Sequence, residues 1–167
     1  MKASPKASVR LPDLIANLQL DRYLVDDLVF KCNSQVITKG DERTSPNISI
    51  DFDAKENSKD KNLFLLEMVV DLNAGQDFQQ FDTYQIHIHI RGWFRFTSIL
   101  DRETKTRMLA TNGSSMLYGV VRTIIANLTG SLGPQRYILP SLNLLAVIRA
   151  KVASGKMTTT TKAVTTN

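Results

Sequence analysis

The chain has one cysteine, Cys32, in 167 residues, which excludes an internal disulfide and the cysteine-rich zinc modules. Its two histidines, His87 and His89, stand two apart and would point the same way from a strand. A zinc site needs three or four ligands, and no third histidine, cysteine pair or acidic cluster stands at a useful spacing. No apolar run approaches the ~18 residues of a membrane span. The N-terminal MKASPKASVRLPDLIANLQL lacks the apolar stretch of a secretory signal, so the expected compartment is the cytoplasm. Missing too are a nucleophile elbow, a glycine-rich phosphate loop and an HExxH pattern. No enzyme, metal or cofactor is expected.

What is present is the composition of one soluble globular domain, 43% apolar and 22% charged. The net charge of +5 invites a nucleic-acid reading, but its position argues otherwise. Residues 1–12 and 154–167 together hold five cations and no acid, so the interior is neutral overall. Within it, residues 13–82 carry 14 acidic and 7 basic groups, whereas 83–153 carry 2 and 9. If those halves interleave in one sheet, their fields largely cancel. Three segments follow: an N-terminal tail over 1–20, with room for a short helix; a domain over 21–153; and a threonine-rich, disordered tail over 154–167.

Periodicity predicts four strands and then two helices. The strands cover roughly 23–33, 47–54, 62–73 and 84–96, with the polar AKENSKDKN as a hairpin loop and 33–46 long enough to cross a sheet. Short polar connections favour antiparallel pairing. After Asp101 the period changes: Leu117, Val120, Val121, Ile124, Ile125 and Leu128 share a helical stripe, with Ser114 or Ser115 as N-cap and Gly130, Gly133 and Pro134 as stop signals. A second helix over roughly 141–153 would turn Leu145, Ile148 and Val152 inward. The expected class is α+β, a four-stranded antiparallel sheet with two C-terminal helices packed on one face.

The stretch YQIHIHIRGWFRF, residues 84–96, sets Ile86, Ile88, Ile90, Gly92, Phe94 and Phe96 on one face. Gln85, His87, His89, Arg91, Trp93 and Arg95 share the other. The first face reads as core, with Gly92 marking a bulge or the close approach of a helix. Arg91, Trp93 and Arg95 could stack bases and pair phosphates, which gives the alternative function: a single-stranded nucleic-acid-binding module. Against it, Asp51, Asp53, Glu67 and Asp71 are expected beside them on the same face.

Residues 114–144, SSMLYGVVRTIIANLTGSLGPQRYILPSLNL, resemble the C-terminal signature of the SecB family of protein-export chaperones. Leu117, Tyr118 and Arg122 match the family's helix opening, and Leu139, Pro140, Asn143 and Leu144 match its second block. YLVDDLVFKCN is similar to the family's N-terminal motif through Tyr23, Asp27, Phe30 and Asn33, and RGWF resembles the Gly-Ile-Phe after its fourth strand through Gly92 and Phe94. The likeness spans about 22–150.

The resemblance implies a nucleotide-independent holdase, a dimer or dimer of dimers, that wraps unfolded or preprotein chains on apolar grooves. Its candidate client-binding residues are Val36, Ile37, Ile138, Leu139, Leu142, Leu144 and Val147; Leu144 replaces an aromatic and would make its subsite shallower. Gly119 stands where the family has proline and Thr123 where it has glutamate. Asp27, Lys31, His87, His89, Arg91 and Trp93 would form a partner surface. Lys31 and His87 replace glutamates there, so attraction to a basic segment of the export motor SecA should be lost. A dedicated client, such as an antitoxin, is then expected.

Overall fold

The computed structural model describes residues 16–33, 46–73 and 83–153. Four strands, β1 (Leu18–Cys32), β2 (Ile48–Glu56), β3 (Leu63–Leu72) and β4 (Tyr84–Phe96), form one sheet in the order β1-β4-β3-β2. Every pairing is antiparallel. β2, β3 and β4 are joined in sequence, whereas β1 and β2 lie on opposite edges, so the segment between them crosses the sheet. Val36 and Ile37 fall in that crossover, outside the described residues.

β1 starts at Leu18, not at Tyr23, so Leu18, Gln19 and Leu20, assigned to the N-terminal tail on sequence, are strand. The reason is two register shifts against β4, between Leu20 and Arg22 and between Val25 and Asp27. Each inserts one residue, Asp21 or Asp26, and reverses which parity faces the core. A period-two reading cannot follow such a strand.

The helical layer also begins earlier than expected. α1 (Arg102–Met108) is capped by Asp101, whose carboxylate accepts from the Thr104 amide at 2.8 Å. A π-helical turn, Leu109–Gly113, then leads directly into α2 (Ser114–Leu132). Ser114 is therefore not an N-cap; it is buried inside a continuous helical path. The π-turn coincides with Asn112 and Gly113, weak helix formers, and the bare Gly113 lets Leu109 pack close to its backbone. α3 (Leu144–Ala153) starts three residues later than expected, and Asn143 caps it by accepting from the Ala146 amide at 3.1 Å. Its inward stripe begins at buried Leu144 and continues through half-buried Val147 and Ile148, leaving Leu145 outside.

The core lies between the sheet and these helices. Ile86, Ile88, Ile90 and Phe94 of β4 and Leu66, Met68 and Val70 of β3 are completely enclosed, with Leu117, Val121 and Ile125 of α2 above them. At Gly92 the layers approach closely: a Cβ there would meet Leu117 and Leu20 at 3.1 Å and the Phe94 ring at 2.9 Å. Among the described residues, no helix is long and apolar enough to cross a membrane.

Candidate functional site

Between α2 and α3 the chain bends over residues 133–135 and then runs without helix or strand to Asn143, and a row of side chains from α2 and β4 holds it down. The Tyr137 amide donates to the buried Thr129 hydroxyl at 2.9 Å. Arg122 Nε donates to the Leu139 carbonyl at 2.9 Å, and Tyr118 donates to the Pro140 carbonyl at 2.8 Å. Tyr84 of β4 reaches up to donate to the Gln135 carbonyl. Partners at 129, 122 and 118 in turn show the connector running back antiparallel along α2. Burial pushes the phenols of Tyr84, Tyr118 and Tyr137 above their ordinary value, so the Tyr84 and Tyr118 hydroxyls stay protonated donors even at alkaline pH.

This anchoring decides which apolar groups stay open. Leu139 is fully enclosed and Leu144 is buried, so both form the floor. Ile138, between two pinned neighbours, is forced outward and is 59% exposed; Leu142 and Val147 are half-buried. Two apolar side chains not among the sequence candidates, Leu132 and Leu145, flank the connector along the chain and are 66% and 42% exposed. Leu145 was hidden because the helical stripe of α3 can be phased on Leu144 or Leu145 from sequence alone, and only the cap at Asn143 selects the former.

The outer face of the sheet is built from cross-strand pairs. β4 lies between β1 and β3, so its cations meet acids from both sides, as the charge partition implies. Arg91 forms a two-pronged ion pair with Asp26, and Arg95 bridges Asp21 at 3.0 Å and Asp60 at 3.1 Å. His87 Nδ1 stands 2.6 Å from Asp71 and its Nε2 3.8 Å from Asp27. Asp21 and Asp26 are the bulge residues of β1, and the bulges let their carboxylates reach the arginines. Trp93 lies under the Arg22 guanidinium, 4.5 Å from ring centroid to carbon, with Arg91 at 5.7 Å. His89 pairs across from Asp27, and Lys31 from Gln85. Of the six residues expected on a partner surface, Asp27, His87, His89, Arg91 and Trp93 thus fall in one central patch, while Lys31 stands at its rim. Among the described residues, no three His, Cys, Asp or Glu side chains converge to hold a metal ion.

A four-stranded antiparallel sheet covered on one face by C-terminal helices is a SecB-like architecture. Residues 13–154 match the family described as preprotein translocase subunit SecB, and the chain belongs to that family of protein-export chaperones, which is non-enzymatic. Among solved structures, it is similar to the SecB-like chaperone Rv1957 of Mycobacterium tuberculosis in complex with a ChAD peptide from the antitoxin HigA1 (Rv1956). The identity is 17%, the match covers 79% of this chain and 92% of that one, and the TM-score is 0.54. A protein of unknown function from Streptococcus agalactiae is similar at 10% identity, over 75% of this chain and 97% of that one, with a TM-score of 0.44. No curated protein matches the sequence.

Proposed function

We propose that this chain is a nucleotide-independent holdase that grips unfolded or preprotein polypeptide along the connector and α3. The observation that carries the reading is the apolar side chains left open after the core is complete, Leu132, Ile138 and Leu145. Val147 and Leu142 widen the strip at half exposure, and Leu139 and Leu144 support it from beneath. Val36 and Ile37 would extend it from the crossover. Each contact of this kind contributes about 1 kcal/mol, so capture without sequence specificity needs several at once, multiplied by copies in an oligomer. A homo-oligomer is favoured by β1, an edge strand of fifteen residues that exposes Tyr23, Leu24, Leu28 and Val29. An unpaired, apolar edge is a template for a second copy.

The outer sheet face supports a dedicated client over the general export route. Arg91 holds Asp26, Arg95 holds Asp21 and Asp60, and Lys55 holds Glu67, so less free negative potential remains for a basic segment of SecA. The antitoxin peptide bound by the mycobacterial neighbour bears on the same choice. The nucleic-acid alternative loses ground on this face, because the cations that would meet phosphates already hold acids. Residence in the cytoplasm accords with such a client.

The test is suppression of aggregation of a chemically unfolded substrate, without nucleotide, at substoichiometric chaperone. Wild type should slow aggregation, and Ile138→Glu with Leu145→Glu should abolish the effect while leaving the urea midpoint in place. A wild-type chain that leaves aggregation unchanged at every ratio sinks the proposal.

A further inference from the structure

At the corner where β2, the β2–β3 hairpin and α1 meet, a cavity of about 410 Å³ is lined by Glu56, Lys61, Phe64, Arg102 and Lys105. Glu56 pairs in register with Phe64, which sets its carboxylate on the helix-covered side of the sheet, where only 17% of the side chain is exposed. Lys61 at 3.6 Å and Arg102 at 3.3 Å partner it from the rim. Lys105 is more deeply placed, at 8% exposure. Its ammonium donates to Asn62 Oδ1 at 2.7 Å and to the Lys61 carbonyl at 3.2 Å. Both acceptors are neutral, and an ammonium has three donors. No described carboxylate lies within ion-pair distance of it, and a buried charge without a counter-ion is unfavourable. The lining therefore holds three cations against one carboxylate.

We propose that this corner is a second contact for bound polypeptide, taking the carboxylate of an acidic client side chain between Lys105, Arg102 and Lys61; it rests on the holdase reading. Two features favour a carboxylate over a phosphate. Glu56 stands in the wall and repels a dianion about twice as strongly as a single negative charge at the same distance. Phe64 gives the lining an apolar side, which suits the methylene stem of a glutamate or aspartate. Three residues before Arg102, Ile99 is fully exposed and offers an apolar contact to residues flanking that acid. The β4–α1 turn and the connector strip would then select acidic, apolar segments together.

The experiment compares two fluorescein-labelled peptides on the full chain by polarisation: a leucine- and glutamate-containing peptide, and the same peptide with every glutamate replaced by glutamine. Wild type should bind the acidic form about three- to tenfold more tightly, the range expected for a part-exposed charge-assisted contact. Arg102→Gln with Lys61→Gln should erase that difference without weakening the glutamine peptide. Those two side chains are solvent-facing, whereas Lys105 is buried; because the change also strips Glu56 of its partners, an unchanged urea midpoint is measured alongside. Acetate should reduce the preference at fixed ionic strength. Equal wild-type affinity for the two peptides overturns the subsite and leaves the holdase reading standing. Failure to bind either one defeats both. Inorganic phosphate removing the preference more strongly than acetate overturns the carboxylate assignment.

Discussion

Gly92 and Asp26 show how single positions carry the geometry of the sheet. At Gly92 the missing side chain lets Leu117 of α2 and Leu20 of β1 meet over β4, so Gly92→Ala should force the layers apart. The expected loss is about 1–3 kcal/mol, read as a lower urea midpoint with an unchanged slope. Asp26 is held below the usual carboxylate range, chiefly by its hydrogen bonds from Arg91. A carboxyl whose folded value is depressed adds stability above its unfolded value near 3.9, and that stability disappears as pH falls through the lower folded value. Wild type should therefore lose stability on acidification below about pH 4 more steeply than Asp26→Asn, as urea midpoints measured from neutral to acid pH would show. At neutral pH the variant should give up only about 0.2–1 kcal/mol, because the pair is at the surface. The alternation of residues 84–96 made Gly92 legible from sequence. Asp26 was not, since its role depends on a bulge that no local period encodes.

At the scale of elements, α2 is the part whose position matters most. It covers the core with Leu117, Val121 and Ile125, and on its flank Tyr118, Arg122 and Thr129 fasten the connector. Two of the three residues that match the family's helix opening, Tyr118 and Arg122, thus bond the connector at Pro140 and Leu139, next to the exposed Ile138. Gly119 faces the other way: a Cβ there would meet nothing within 4 Å. Gly119→Ala should raise stability by about 0.5–1 kcal/mol through helix propensity alone, measured by thermal or urea unfolding at low protein concentration. The stripe of α2 was plain in the sequence. α1 was not, because RETKTRM turns inward only Lys105 and, at its last position, Met108; a lysine does not read as core, and one apolar residue makes no stripe.

For the molecule as a whole, the question is how much surface stays unfinished. The sheet has two edges, and β1 leaves apolar groups open on both sides of its edge. On the proposed pairing of copies through β1, Leu28→Lys should place a charge in the contact and reduce the mass in light scattering to that of one chain of 18.7 kDa, while wild type gives a multiple. Circular dichroism should be unchanged, since Leu28 is already 38% exposed. A wild-type mass of one chain would remove the oligomer and with it the multiplication of weak contacts. The charge partition was legible at this scale too, because acids in the first three strands and cations in the fourth can neutralise only by adjacency. What hid the corner around Lys105 was distance along the chain: Glu56 and Arg102 come from different layers.

By itself, the sequence determined the elements with regular periods: three strands to within two residues at each end, the apolar stripe of α2, and which side of β4 is core. Those are short-range consequences of side chains alternating every 2 or about 3.6 residues. Only the tertiary structure decided the phase of β1, the π-turn entry into α2, and which of Ile138, Leu139, Leu144 and Leu145 is floor or surface. Adjacent apolar residues in a connector without helix or strand are equivalent until hydrogen bonds from another element fix its roll, and here those bonds come from Tyr118, Arg122 and Thr129.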